Sequence, residues 1–184
     1  MTWVFIDGSA GTTGLRIADR LSGRSDLSIL TLTGDARKDP KARKEALFES
    51  DIAFLCLPDA AAVQAVQLAQ GSKVAIIDTS TAHRTSAGWV YGMPELVGKD
   101  AVKAAKRIAN PGCHASGFVA LVEPLVREGL IAADLGLQSF SLTGYSGGGK
   151  GMIADYESEG RNPLLDAPRQ YGLTQQHKHL KEMV

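Results

Sequence analysis

The stretch "WVFIDGSAGTTGLRIADRLS" (residues 3–22) leaves this chain few ways to fold. A short β-prone run stops at a turn with glycine at positions 8, 11 and 14. Apolar residues then recur at Leu15, Ile17, Ala18 and Leu21, close to helical spacing. A strand that feeds a helix through a tight glycine turn is half of a β-α-β unit, and such units pair their strands in parallel through right-handed crossovers. The alternation continues along the chain. "LSILTL" (27–32) reads as a strand, and "DPKARKEALFES" (39–50) as a helix opened by Asp-Pro. "DIAFLCLP" (51–58) is a continuous apolar run, as expected of a strand covered on both faces. A helix capped by Asp59 (59–70) and a further buried strand (73–80) follow. The expected fold class is α/β: a Rossmann-like parallel sheet with helices on both faces.

The pattern changes at residue 113. "HASGFVALVEPLVREGL" reads as a helix with apolar positions Phe118, Val119, Leu121, Val122, Leu125 and Val126, kinked or broken at Pro124. "LGLQSFSLTGYSGGGKG" alternates apolar and polar residues, which predicts a half-buried strand running into a glycine loop. Two domains are expected: a nucleotide-binding unit over residues 1–112 and part of an α+β substrate domain over 113–184. The chain ends on "HKHLKEMV" with no closing strand, so the second unit reads as incomplete at its C-terminus.

Charge narrows the possible partners. Lys and Arg number 20 and Asp and Glu 20, for no net charge, which argues against nucleic-acid and membrane-surface partners. The start carries no basic leader pattern, and no apolar run approaches the roughly 20 residues a membrane-spanning helix needs. Two distant cysteines make neither a disulfide framework nor a zinc pattern. A reduced, cytoplasmic protein acting on small molecules is the expectation.

In parallel sheets ligands bind at the carboxyl ends of strands. Gly8 would permit the tight turn, Gly11 the close approach of a pyrophosphate, and Gly14 close packing of helix on strand. The helix N-terminus adds unpaired N–H groups and partial positive charge. Cofactor contacts are therefore expected at Gly8, Ser9, Ala10, Gly11, Thr12, Thr13 and Gly14, with Pro58 and Ser80 at neighbouring strand ends. The second strand ends in Thr33, followed by Arg37 and Lys38. A hydroxyl and two cations suit the 2′-phosphate of NADP, while Asp35 keeps NAD open.

Cys113 follows Asn-Pro-Gly at a predicted helix start. There a thiolate gains from the helix dipole, and first-turn N–H groups can hold an oxyanion. Cys56, inside an apolar strand, reads as structural. His177 and His179, with Glu182, are candidate acid/base partners for the thiol. Surface residues or half a metal site are the alternatives, and no further Cys/His cluster completes a metal site. His114 would point about 100° from Cys113 on a helix and reads as a packing or surface residue. His83 and Arg84 stand just past a strand end, in reach of ligand or in a structural role. "GYSGGGKG" (144–151) has Gly151 where an ATP-binding loop needs Ser or Thr.

"GSAGTTG", "FLCLPD", "DTSTAHRT", "WVYGMPEL", "NPGCHASGF", "GYSGGGKG" and "YGLTQQHKHLKEM" run in the order found in the semialdehyde dehydrogenase group, and the chain resembles its short-form N-acetyl-γ-glutamyl-phosphate reductases over essentially its whole length. The resemblance implies NADPH-dependent reduction of an acyl phosphate to an aldehyde in arginine biosynthesis, with release of phosphate. Cys113 matches the nucleophile, His177, His179 and Glu182 the histidine pair and its supporting acid. Ser146, Gly147 and Gly148 match a loop near the nicotinamide. Asn110, Arg84 and His179 are expected at the substrate, and a homo-oligomer, dimer or tetramer, is expected. His114 stands where the group usually has Tyr, and Lys181 where it has Pro. An aspartate-semialdehyde dehydrogenase, a non-catalytic NADP-binding module and, more weakly, a cysteine hydrolase are the alternatives.

Overall fold

The structure is a computed structural model describing residues 1–170 and 172–184; Tyr171, which opens the "YGLTQQHKHLKEM" motif, lies outside them. Strands β1 (Thr2–Asp7), β2 (Leu27–Leu30), β3 (Ile52–Leu55) and β4 (Ala75–Asp78) alternate with helices α1 (Thr12–Ser22), α2 (Pro40–Glu49) and α3 (Asp59–Leu68). These match the expected elements to within a few residues. Asp39 caps α2, accepting the N–H groups of Lys41 and Ala42, with Pro40 at the first helical position. For α3 the expectation needs correction: Pro58 is the N-cap, and the Asp59 carboxylate accepts the N–H and hydroxyl of Thr81 instead.

The chain then makes β5 (Val90–Tyr91), α4 (Pro94–Val97), α5 (Lys99–Ala104) and β6 (Arg107–Ala109). The sheet order is β2-β1-β3-β4-β6-β5, and every pairing is parallel. Val4 lies opposite Ile52, Ile52 opposite Ala75, and Ile76 opposite Arg107. Val4, Phe5 and Ile6 are all buried although successive side chains alternate faces, so the centre of the sheet is covered on both sides. The core gathers Phe5, Leu47, Leu55, Val74 and Ile76 with alanines of α2 and α3. Each large apolar side chain removed from water there contributes about 1.5–3 kcal/mol.

Beyond the sheet, α6 (Cys113–Arg127) begins at the carboxyl end of β6, and α7 (Gly149–Glu157) follows the glycine loop. Of the kink or break expected at Pro124, the break is not formed: α6 continues through that residue to Arg127. Of its expected apolar face only Val119 is buried, while Leu121 and Leu125 are exposed. The strand expected after residue 135 is not formed. Residues 136–144 carry no ladder pairing among the described residues, and Phe140 and Leu142 are almost fully exposed. An alternating pattern makes a strand only where another strand meets its N–H and C=O groups. No helix among the described residues is long and apolar enough to cross a membrane.

Candidate active site

Because all the strands are parallel, their carboxyl ends share one edge. The chain leaves β1 for β2 on one side and returns to β3 on the other, so a crevice opens between β1 and β3 at that edge. Gly8 lies there with φ of +88°, and a β-carbon on it would stand 2.2 Å from the Cys56 carbonyl oxygen. A β-carbon on Gly14 would stand 2.4 Å from the Gly8 carbonyl oxygen, so α1 seats directly on the turn. Ser9 and Ala10 carry the turn to Gly11, whose N–H donates to Gly8 at 2.9 Å. Gly11 is the N-cap of α1, with no side-chain cap and no acidic residue in the first turn. The N–H groups of Thr12, Thr13 and Gly14 therefore lack intrahelical partners, and the dipole adds about half a positive charge. That donor set fits a pyrophosphate.

Beneath the turn, Arg43 of α2 donates twice to Asp7 Oδ2, at 3.0 and 2.9 Å, and once to Gln64 of α3 at 3.1 Å. Both charges are almost fully buried. Burial pushes the Asp7 carboxyl upward, against the pull of Arg43. Thr33, Arg37 and Lys38 are exposed around a single 3-10 turn (Gly34–Arg37) beyond β2, together with Asp35. Pro58 and Ser80 stand at the ends of β3 and β4. The Ser80 hydroxyl turns inward, donating to Asp78 Oδ2 at 2.7 Å, and the same oxygen meets His83 Nδ1 at 2.6 Å. His83 stacks on Trp89 with ring centroids 4.1 Å apart, which gives it a structural place.

Cys113 is the first residue of α6 and is exposed; Cys56 is half-buried, and burial pushes its thiol up to about 11. Cys113 and His114 line a cleft of about 650 Å³ together with Phe118, Ser141, Ser146 and Gly147. Gly148 closes that 3-10 turn (Tyr145–Gly148), and Lys150 just beyond it donates to the Ala10 carbonyl of the glycine turn. The thiol, the "GYSGGGK" loop and the first glycine turn are thus physically linked.

The C-terminal segment is pinned to the helix start. Glu182 Oε2 accepts the Gly112 N–H at 2.9 Å and the Tyr91 hydroxyl at 2.7 Å, while Oε1 accepts Arg84 at 2.8 Å. Burial alone would raise this carboxyl, but the three donors outweigh it and hold it below its ordinary range. Burial and Glu182 push the Tyr91 hydroxyl upward. Arg84 also donates to the carbonyls of Asn110 and Thr79, so its guanidinium is turned into the protein; it clamps the site's frame. Asn110 itself is exposed beside it.

The His179 ring lies against Gly112, where a β-carbon would stand 2.5 Å from Nε2. His179 is 5% exposed, and its Nδ1 finds no hydrogen-bond partner among the described residues. Desolvation drives its pKa down to about 4. His177 meets it edge-on at 4.5 Å; burial first, then the charges of His114 and Lys178, lower its pKa too. His114 faces both, 5.8 Å from each ring. Of the two readings of His114, packing and surface, the ring contacts give packing, against the histidines brought up from the C-terminal segment. Tyr91 is a residue that sequence reasoning missed: an isolated tyrosine in a two-residue strand carries no chemical signature. No cluster of three or more His, Cys, Asp or Glu among the described residues is disposed to hold a metal ion.

Comparison with known proteins adds two family matches: "Semialdehyde dehydrogenase, NAD binding domain" over residues 4–105 and "Semialdehyde dehydrogenase, dimerisation domain" over residues 113–184. The N-acetyl-gamma-glutamyl-phosphate reductase of Chelativorans sp. (strain BNC1) is 50% identical over 98% of this chain and 58% of its own length. N-acetyl-gamma-glutamyl-phosphate reductase 2 of Pseudomonas putida (strain KT2440) shows the same identity and the same coverage. The chain thus spans 58% of the length of these curated relatives. The crystal structure of aspartate semialdehyde dehydrogenase II complexed with ASA, from Vibrio cholerae, superposes with a TM-score of 0.61 at 17% identity, over 93% of this chain and 55% of that one. Aspartate semialdehyde dehydrogenase from Francisella tularensis gives a TM-score of 0.63 at 17% identity, over 85% and 48%. Those two structures share the fold.

Proposed function

The chain belongs to the semialdehyde dehydrogenase family, and from that premise we propose that it carries the catalytic thiol and cofactor site of an N-acetyl-γ-glutamyl-phosphate reductase. The reading divides the chain into a nucleotide domain over 1–112 and a catalytic segment over 113–184. One observation carries it: the exposed thiol at the first position of α6 shares its cleft with the loop whose Lys150 holds the first glycine turn.

NADPH, when bound, supplies the hydride that brings the acyl group to the aldehyde level. The uncapped first turn of α1 suits its pyrophosphate, and Thr33, Arg37 and Lys38 suit a 2′-phosphate. The Cys113 thiolate attacks the γ-acyl carbon. The bond from that carbon to the phosphate oxygen breaks, and phosphate leaves with the electron pair. First-turn N–H groups of α6 hold the oxyanion. After reduction, His177 relays a proton from solvent to the alkoxide oxygen, and takes it back as the C–S bond breaks and thiolate returns. His179, buried and neutral, orients substrate beside Asn110. Assembly as a homo-oligomer, dimer or tetramer, and a place in the cytoplasm belong to the same reading. The match to a dimerisation domain and the exposed Leu121, Phe140 and Leu142 support assembly.

The test is phosphate-dependent reduction of NADP+ by N-acetylglutamate semialdehyde, with aspartate semialdehyde assayed in parallel. Turnover on the first, and its loss in Cys113→Ser with NADPH binding retained, is the expected result. A serine variant that keeps most of its activity overturns the mechanism. Preference for aspartate semialdehyde overturns the substrate, and cofactor binding without turnover on either leaves a binding module.

A further inference from the structure

Arg43 and Asp7 are buried charges that the chemistry at Cys113 does not use; their side chains are 5% and 3% exposed. A buried ion pair adds little stability, because apolar residues of similar volume often do as well or better. It does supply direction. Arg43 donates to Asp7 Oδ2 from Nε and Nη2 at 3.0 and 2.9 Å, to Gln64 Oε1 at 3.1 Å and to the Ala61 carbonyl at 3.4 Å. A planar guanidinium held in this way fixes angle as well as distance. It ties α2 to α3 and to the last residue of β1, directly before Gly8. Its place along α2 matters. Ala46 and Leu47, in the second half of the helix, join the apolar core. Among the described residues 40–45, Arg43 alone is buried. The exposed turn that carries Arg37 and Lys38 is stapled to this first half by backbone bonds. Lys38 N–H donates to the Asp35 carbonyl at 2.9 Å, Asp39 N–H to Ala36 at 3.3 Å, and Arg43 N–H to Asp39 at 3.0 Å. Turn and helix start therefore move together, and Arg43 sets where they stand against the glycine turn.

We propose that Arg43 is a positioning residue for cofactor choice: through Asp7 and Gln64 it sets the distance from the glycine turn, which takes the pyrophosphate, to Thr33, Arg37 and Lys38, which take the 2′-phosphate. This deepens the cofactor reading above and rests on it. Buried beneath the turn, Arg43 acts through these groups rather than on the phosphate itself. The glycine turn has support of its own, since Gly8 packs on the Cys56 carbonyl and Gly14 on the Gly8 carbonyl. Loss of the Arg43 fork should therefore weaken the 2′-phosphate contacts and spare the pyrophosphate.

The probes are ADP-ribose and 2′-phospho-ADP-ribose, which carry the pyrophosphate but no nicotinamide, titrated calorimetrically into the full chain. Neither needs turnover at Cys113. The wild type should bind the 2′-phosphorylated probe at least about 10-fold more tightly, the worth of one charge-assisted hydrogen bond. Arg43→Met combined with Asp7→Leu removes both charges and keeps the volume apolar. In that double variant the preference should fall to about 3-fold or less, with affinity for ADP-ribose changed less than about 2-fold and the urea midpoint above that of Arg43→Met alone. Stability and selectivity are thereby read apart: a merely structural role would return both together. Arg43→Lys keeps the charge, but a point charge cannot span Asp7 and Gln64 at once, so its preference should lie between the two. Wild-type preference in either variant, or an equal loss of affinity for both probes, overturns the proposal while the reading of Thr33, Arg37 and Lys38 stands. A wild type that binds both probes equally overturns that reading, and the positioning role with it.

Discussion

Replacing Glu182 by glutamine removes one charge and almost no volume. The carboxylate is 1% exposed and its partner Arg84 8%, so both sit out of water. In the variant the amide NH2 must face either Arg84 or the pair formed by Tyr91 and Gly112, and each of these is a donor. Removing one partner of a buried ion pair costs about 3–5 kcal/mol. Arg84 keeps its bonds to the carbonyls of Asn110 and Thr79, so a cost below that range, about 2–3 kcal/mol, is expected. The loss should concentrate where the C-terminal segment meets α6. The Gly112 amide, which donates to Glu182, should then exchange with solvent roughly 30- to 150-fold faster. Hydrogen exchange read by NMR or mass spectrometry at that peptide, with urea unfolding alongside, measures it. Acidification should mimic the variant. The folded pKa lies below the ordinary 4.5, so the contribution is whole above that value and disappears as pH falls through the folded one. Gly112 exchange at neutral pH equal to that of the wild type would refute the reasoning.

Other substitutions probe the rest of the frame. Arg43→Met strands the buried Asp7 carboxylate and should cost about 3–5 kcal/mol in urea unfolding. Asp7→Leu with Arg43→Met should recover much of that loss. Gly8→Ala should abolish NADPH binding and lower Tm steeply, because the new β-carbon meets the Cys56 carbonyl and φ is +88°. Gly23→Ala, with nothing within 4 Å, should leave Tm unchanged or slightly raised. His179 is buried with a pKa near 4 against 6.5 when unfolded. The unfolded chain therefore binds the extra proton first, and stability should fall as pH drops from about 6.5 to 4. The same titration on His179→Phe should lack that component.

What the sequence made legible was local. Gly8, Gly11 and Gly14 between a strand and a helix, and Asn110-Pro111-Gly112 before Cys113, state their geometry within a few residues. Both ended up at the edge expected of parallel strands. Contacts that span the chain left no such trace. Tyr91, Arg84 and Gly112 converge on Glu182 from 91, 98 and 70 positions away, and no periodicity marks a residue for that. Strands β5 and β6, two and three residues long, are too short for alternation to register. The segment after Leu135 erred the other way: its alternation is clear, but pairing depends on a neighbour that pattern does not supply. For His114 an angle on one helix leaves packing and surface both open; the partners that decide for packing, His177 and His179, come from the far end of the chain.

The buried apolar side chains belong almost entirely to the sheet and its first three helices; Trp3 stands in β1, and Trp89, in the loop before β5, packs against that core. Intrinsic emission is therefore a one-sided witness. It will follow melting of the nucleotide half and pass over any loosening of residues 113–184. A probe placed on α7 and one on the sheet would report whether this chain comes apart as one cooperative body or as two.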